Sequence, residues 1–582
     1  MSRTKSRTAL FAALGLIAAT GATATALSTA TAGAAAAGCK VDYQVANQWN
    51  SGFTANVTVT NLGDPVNAWT LGWSYGGDQK VAQGWNADIT QSGAAVTARN
   101  LSYNGTLATG GSTSFGFNAT YSGTNAVPAT FTLNGVTCTG SVPPTTPPTT
   151  PPTTPPTTPP TTPPAGARVD NPYVGARVYV NPEWSAHAAA EPGGTRVSNQ
   201  PTGIWLDRIA AINGANGAMG VRAHLDEALR QKGDGEMVVQ FVIYNLPGRD
   251  CAALASNGEL GPTEIDKYKT QYIDPIAAVL SDPKYAGLRI VTTVELDSLP
   301  NLVTNVSGRP TATANCDVMK ANGNYIKGVG YALNKLGAIP NVYNYLDAGH
   351  HGWLGWDDNF GPSAELLKTA ATAEGSTVAN VTGFIVNTAN YSALKEDHFG
   401  IGDTVNGVSV RQSKWVDWNR YTDELSYAQA MRDKLVSVGF DSRIGMLIDT
   451  SRNGWGGTAR PTGPGAKTDV NTYVDGGRYD RRINPGNWCN QASAGLGERP
   501  KAAPEPGIDA YVWMKPPGES DGASKEIPNN EGKGFDRMCD PTYTGNVRNG
   551  NSMSGALPDA PLAGQWFSAQ FRELLKNAYP AL

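Results

Sequence analysis

Two acidic residues close an apolar, β-branched run, Arg289-Ile290-Val291-Thr292-Thr293-Val294-Glu295-Leu296-Asp297-Ser298-Leu299. Such a run reads as a buried strand, and the two-residue period of a strand sets Glu295 and Asp297 on one face. Two carboxyls so placed cannot both ionise cheaply. One of them then keeps its proton to higher pH than a free carboxyl, which is what a general acid requires. The competing reading is a surface strand end whose charges are simply solvated, and the remainder of the chain decides between the two.

The elements around this run alternate. Buried-type strands are expected at Val178–Val180, Val238–Tyr244, Val342–Leu346, Gly383–Val386, Ile444–Ile448 and Ala510–Met514. Amphipathic segments near Glu264–Leu280, Met319–Leu336, Glu424–Val438 and Leu562–Ala578 lie between or after them. This is βα repetition, which implies a parallel sheet covered by helices. Polar residues follow one strand after another: Asn245 to Cys251 after Tyr244, Asp347 to His350 after Leu346, Asn387 after Val386, Asp449 to Arg452 after Ile448, and Lys515 after Met514. A TIM-type barrel builds its site in this way, from loops at the C-terminal ends of its strands. No G-x-G-x-x-G follows an early strand, so a dinucleotide-binding sheet is disfavoured.

The chain upstream divides into three parts. Arg3, Lys5 and Arg7 precede an apolar stretch from Leu10 to Ala19, and the alanines at 34–37 offer cleavage sites, so residues 1–37 read as a secretory signal. No other stretch approaches the roughly 20 apolar residues of a membrane span. Pro-Pro-Thr-Thr repeats from Pro143 to Pro164 form a spacer, assigned to 140–166. In a polyproline II path at about 3.1 Å per residue it reaches roughly 70 Å. Between signal and spacer, residues 38–139 are rich in Thr, Val, Asn and Gly and alternate as in a β-sandwich, with Cys39 and Cys138 placed to tie its ends. Trp69 and Trp73 alternate as core residues. Trp49 and Trp85 sit among Asn and Gln, where flat exposed rings suit the apolar faces of pyranose sugars. Residues 167–582 make up the large domain.

Composition excludes several partners. A net charge of −4 without a basic cluster beyond the signal argues against nucleic acid and anionic membranes. Six cysteines in an oxidising compartment favour three disulfides, and no C-x-x-C or H-x-x-x-H spacing suggests a metal. Neither a metal nor a cofactor is expected, and the protein is taken as a secreted monomer.

The small module resembles a family 2 carbohydrate-binding module through its terminal cysteines, Asn47-Gln48-Trp49-Asn50-Ser51-Gly52-Phe53 and Phe115-Gly116-Phe117-Asn118. The resemblance implies a cellulose-binding strip of Trp49, Trp85 and Tyr103. The large domain resembles glycoside hydrolase family 6 through four blocks in order: Leu246 to Ser256, Glu295 to Leu299, Leu346 to Trp356, and Trp513 to Gly522. That family implies a distorted (β/α) barrel with fewer than eight strands and inverting hydrolysis of β-1,4-glucan, without a cofactor. By motif, Asp297 is the general acid and Glu295 a neighbouring support. Asp250 assists the acid. Asp521 is the candidate base, with a route through water on Ser256 to Asp250 as its rival. Tyr244 packs beneath the distorted sugar, and Asp347 belongs to the substrate site. Trp205, Trp353, Trp356 and Trp488 match stacking positions, Lys515 and Glu519 match sugar-binding ones, His350 faces the cleft and His351 is structural.

Two long stretches, Asn453–Asn487 and Pro516–Arg537, exceed ordinary loop lengths and point to function. Cys489 and Cys539 can clamp their bases, as Cys251 and Cys316 can clamp loops beside the acid. In this family covered tunnels belong to cellobiohydrolases and open clefts to endoglucanases. The expectation is therefore an exo-acting enzyme that releases cellobiose from non-reducing ends, with an endoglucanase as the alternative and a non-catalytic polysaccharide binder as the outsider.

Overall fold

A computed structural model describes residues 38–49, 51–101, 104–138, 168–215 and 217–582. The expected signal and linker, and Tyr103, lie outside the described residues. The chain divides into two compact units, 1–158 and 159–582.

The first unit is a β-sandwich. One sheet runs β1 (Cys39–Trp49), β2 (Gly52–Asn61), β7 (Ser112–Thr120), β4 (Lys80–Trp85) in that order across its width. The other runs β5 (Asp88–Ser92), β6 (Ala95–Arg99), β3 (Thr70–Ser74), β8 (Phe131–Leu133), β9 (Val136–Thr137). Phe53, Ala55, Val57 and Val59 alternate inward along β2, as the strand period requires. Trp69 stacks on Phe115 and Trp73 on Phe117, each pair with centroids 5.7 Å apart, so both indoles are core. A disulfide joins Cys39 to Cys138. Trp85 closes β4 at 38% exposure. Its ring lies over Gly116, where an added Cβ would come within 2.4 Å of the indole.

The second unit is a rolled, mostly parallel sheet. β10 (Ala176–Val178) and β11 (Ile204–Leu206) both pair with one edge of β12 (Glu236–Ile243), at its start and its end. The sheet continues through β13 (Arg289–Val294), β14 (Val342–Asp347) and β15 (Gly383–Val386). A separate hairpin of β16 (Thr404–Val405) and β17 (Val408–Ser409) follows in sequence. The sheet then ends through β18 (Gly445–Asp449), with β20 (Ile508–Val512) beside it and β19 (Lys501–Glu505) antiparallel at the edge. With β10 and β11 sharing one position, seven parallel positions form an incomplete barrel.

Two cores follow from the pleat. Val238, Val242, Val291, Tyr343, Tyr345, Ile385, Leu447 and Val512 fill the interior. Val239, Phe241, Ile243, Ile290, Phe384 and Met446 face an outer layer that includes helices Val221–Lys232, Asn324–Gly337 and Glu424–Ser437. β20 approaches β11 without a ladder: the Gly203 amide donates to the Trp513 carbonyl at 3.0 Å. A side chain at Gly203 would strike the Met514 carbonyl at 2.3 Å, which accounts for glycine there. The segment read as one helix over Met319–Leu336 is two, Ala314–Asn322 and Asn324–Gly337, broken where Gly323 adopts φ +69°. Among the described residues no helix is long and apolar enough to cross a membrane.

Candidate active site

The run from Arg289 to Leu299 departs from strand geometry at the point where its chemistry begins. β13 stops at Val294. Glu295 and Asp297 take φ of +52° and +58°, and Asp250, in the loop after β12, takes +45°. The expectation that Glu295 and Asp297 share a strand face is therefore overturned, because left-handed residues break the alternation. Glu295 is turned into the loop after β12: its carboxylate accepts from the amides of Asn245 (3.1 Å) and Leu246 (3.2 Å) and from the Tyr268 hydroxyl (2.7 Å). At 1% exposure it anchors the loop that carries Asp250.

Asp297 keeps company with other acids. The Asp347 carboxylate accepts from the Asp297 amide at 3.1 Å. Burial, then the charges of Asp347, Asp250 and Asp521, push the Asp297 carboxyl well above the ordinary carboxylate range. Asp250 is pushed up to about 7, mainly by burial, while the Asn301 amide donating at 3.0 Å works in the opposite direction. Asp347 is likewise pushed up to about 7 by burial, against the amides of Asp297 and Gly349. The Ser256 hydroxyl lies near both Asp250 and Tyr244 and favours the ionised form of each. Tyr244 is buried and meets Trp205 edge-on, with centroids 5.4 Å apart. Among the described residues, none of these three aspartates has an arginine or lysine paired to it by a salt bridge.

Asp521 stands in the opposite environment. Arg452, wholly buried, donates to its two oxygens at 2.7 and 2.8 Å, the Tyr391 hydroxyl at 2.7 Å and the Asn490 amide at 2.8 Å. Lys515, which follows β20, donates its amide to Asp449 at 2.8 Å, and its ammonium lies 4.9 Å from the Trp205 ring centre. Burial lowers the affinity of its amine for a proton. Burial pushes Glu519 up to about 7, with Lys515 opposing.

Trp205, Trp353, Trp356 and Trp488 are half-buried, whereas Trp184, Trp455 and Trp513 are enclosed. The indole N–H groups of the first three are fixed by the Met514 carbonyl, the Thr304 hydroxyl and the Asp417 carbonyl, at 3.0, 2.9 and 2.7 Å. These bonds fix the orientation of the three rings. His350 lies 6.1 Å from the Trp353 ring, its nitrogens against Asn390 (3.0 Å) and Ser392 (3.4 Å). Burial, followed by Arg482 and His351, keeps it neutral. His351 is bound to buried Glu424 at 2.7 Å, away from this group.

The stretch Pro516–Arg537 meets two other loops. In the stretch after β20, the Gly534 amide donates to the Leu254 carbonyl at 3.0 Å and Asp536 accepts from the Leu254 amide at 2.8 Å. Lys533 bridges Asp207 (3.2 Å) and Glu531 (2.8 Å), and Arg208 adds a pair to Glu531 at 2.9 Å. The loops following β11, β12 and β20 are thus joined. Disulfides Cys489–Cys539 and Cys251–Cys316 fix their bases. The stretch Asn453–Asn487 is less irregular than expected, since it contains a helix at Val470–Gly477.

Sequence reasoning missed Asn301, Tyr391 and Asn490, which hold Asp250 and Asp521. Asn301 had a signal in its place at the head of a short helix four residues after Asp297. Tyr391 and Asn490 had none, because each is 31 or more residues from Asp521 and only the tertiary fold brings them to it.

Comparison with known proteins matches this geometry to a family. The profile of glycosyl hydrolases family 6 covers residues 171–578, and that of the cellulose binding domain covers 39–138. Exoglucanase A of Cellulomonas fimi is 50% identical over 438 residues, 72% of this chain and 49% of that protein, so the match spans about half the length of that relative. "Probable 1,4-beta-D-glucan cellobiohydrolase C" of Aspergillus fumigatus is 36% identical over 425 residues, covering 71% of this chain and 78% of that one. The catalytic domain of Cellulomonas fimi Cel6B superposes with a TM-score of 0.68 at 50% identity, over 72% of this chain and 97% of that domain. With the profile spanning most of its length, the chain belongs to glycoside hydrolase family 6.

Proposed function

We propose that the protein is a secreted, exo-acting cellulase that hydrolyses β-1,4-glucosidic bonds with inversion and releases cellobiose from non-reducing chain ends. The observation that carries this reading is the segregation of carboxyls. Among the described residues Asp250, Asp297 and Asp347 lie together without a paired cation, while Asp521 is matched by Arg452. A carboxyl that holds its proton against two acidic neighbours can donate it to the leaving glycosidic oxygen. Asp250 and Asp347 sustain that protonation, and Asp250 with Ser256 can take a proton from the attacking water. Asp521 is the rival base, since inversion leaves room for water between base and sugar.

Tyr244 supports the sugar at the point of cleavage. Trp205, Trp353, Trp356 and Trp488 offer stacking faces, with Asp347, His350, Lys515 and Glu519 as hydrogen-bonding partners. Glu295 acts through the loop it anchors. The joined loops over residues 251–258 and 516–540 favour an enclosed site and hence exo action, as do relatives named exoglucanase and cellobiohydrolase. The sandwich of residues 38–139, with Trp49, Trp85 and Tyr103 as its strip, tethers the enzyme of residues 167–582 to cellulose through the Pro-Thr spacer.

The test is the distribution of new reducing ends on swollen cellulose. Mostly soluble cellobiose supports the exo reading, and a large insoluble share contradicts it. Asp297→Asn is expected to lose at least about a hundredfold in rate, the scale of general acid catalysis. Near-normal turnover by that variant would remove Asp297 from the mechanism.

A further inference from the structure

Among the described residues of the second unit, Trp418 alone of the tryptophans is exposed, at 55%. It is displayed by a fixed segment. Trp415 and Val416 before it are buried with Phe399, Val405, Val410 and Val474. After it, Asn419 is buried and donates to the His351 carbonyl at 2.8 Å, and the Arg420 amide donates to the Gly355 carbonyl at 3.2 Å. Arg420 also pairs with Asp357. Between these anchors Asp417 and Trp418 adopt φ of +44° and +67°, a conformation that bulky residues avoid. Arg411 holds it, donating to the Trp418 carbonyl at 2.5 Å and to the Asn419 carbonyl at 3.1 Å, with its guanidinium 5.8 Å from the Trp418 ring centre. A strained backbone that presents an apolar side chain to water forgoes burial at a cost, and the surrounding contacts over-determine it.

The link to the cleft is direct. The carbonyl of Asp417, one residue before Trp418, receives the indole N–H of Trp356 at 2.7 Å. Trp353 and Trp356 are half-buried and Trp418 is exposed, and the Trp356–Asp417 hydrogen bond ties the segment that bears Trp418 to the stretch that bears the other two indoles. Indole faces suit the apolar faces of pyranose rings, and an exposed ring held rigid loses little freedom when a sugar settles on it. We propose that Trp418 is an outer stacking platform that engages a β-1,4-glucan chain before it passes Trp356 into the site. This rests on the cellulase reading given above. The platform serves long chains, because a short oligosaccharide occupying the cleft does not extend to the rim.

The competing role for Trp418 is to shield the stem of Arg411, which would make it purely structural. The test uses the full chain and the variants Trp418→Ala and Trp418→Phe, assayed on swollen cellulose and on cellotetraose. For Trp418→Ala the rate on swollen cellulose should fall about three- to tenfold further than kcat/KM on cellotetraose, the scale of one stacking contact. Trp418→Phe, which keeps a flat ring, should restore most of that loss. An equal fall on both substrates, or no fall on either, overturns the platform. If the unsubstituted protein degrades swollen cellulose and cellotetraose, such a result leaves the cellulase reading standing, whereas sugar release from neither substrate overturns both.

Discussion

Replacing Asp347 with asparagine tests whether like-charge coupling keeps Asp297 protonated. In Asp347→Asn the side-chain amide still presents a carbonyl oxygen to the Asp297 N–H, so the 3.1 Å hydrogen bond survives while the charge is lost. A full negative charge held about 6 Å from a carboxyl at an effective dielectric of about 20 raises the cost of ionising it by about 2.8 kcal/mol, and this sets the scale for a charge at 347. Asp347 is itself pushed up to about 7, so near that pH it is about half ionised, which leaves about 1.4 kcal/mol. Removing a neighbouring negative charge stabilises the Asp297 carboxylate, so the acid loses its proton at lower pH. The alkaline limb of the kcat/KM profile on cellotetraose should therefore move down by about one pH unit. The position of the limb is the readout, because Asp347 is also a proposed sugar ligand and its loss lowers the height of the profile. An alkaline limb that stays put, or moves up, refutes the coupling.

Other outcomes follow from the same structure. Gly116→Ala should dislodge the Trp85 indole, which an added Cβ would meet at 2.4 Å, and weaken adsorption to crystalline cellulose several-fold in a depletion assay. Normal adsorption would remove Trp85 from the binding strip. The double variant Cys489→Ser and Cys539→Ser opens a loop of 50 residues, so unfolding should become easier by about 2–4 kcal/mol. Its share of insoluble reducing ends should rise as the loop bases loosen, and an unchanged share would show that the disulfide does not maintain closure. Asp250, Glu295, Asp347 and Glu519 are pushed up to about 7 and Glu396 to about 8, mainly by burial. The folded state then holds more protons than the unfolded chain between about pH 4 and these values, so stability is lost as pH rises through that window. Calorimetry should show a lower Tm at pH 8 than at pH 5, and the reverse order would contradict the protonated cluster.

Much of this was legible in the sequence, for identifiable reasons. Strands buried on both faces are near-continuous apolar runs, so β12 to β15, β18 and β20 stood out with small errors at their ends. β11, at three residues, and β19, with exposed Lys501 and Glu505, carry no such signal and were missed. The sandwich core was readable because Trp69 and Trp73 keep the strand period. The acids were found by type and position, but their arrangement was not. Periodicity assumes that a strand continues, and left-handed residues at Glu295 and Asp297 end it. The disulfides fell as the cysteines' positions suggest, Cys489–Cys539 at the bases of the two long stretches and Cys251–Cys316 in the loops near Asp250 and Asp297.

Left-handed backbone also explains how the site holds its charge state. Free carboxylates relieve repulsion by moving apart. Asp250 and Asp297 sit on backbone that non-glycine residues adopt at a cost of about 1–2 kcal/mol each, beyond the ends of strands that are buried on both faces. The Asp297 amide is bound to Asp347, the Asp250 carboxylate to Asn301, and the Cys251–Cys316 disulfide closes the adjoining loop. Separation is blocked, so the repulsion is relieved by retaining a proton, and among the described residues no guanidinium forms a salt bridge with any member of the trio. Asp521, by contrast, is met by a cation, the buried guanidinium of Arg452. The carboxyls therefore divide into a trio pushed toward retaining protons and a fourth that is paired, because the backbone fixes where each can go and a single arginine bonds Asp521 alone among them.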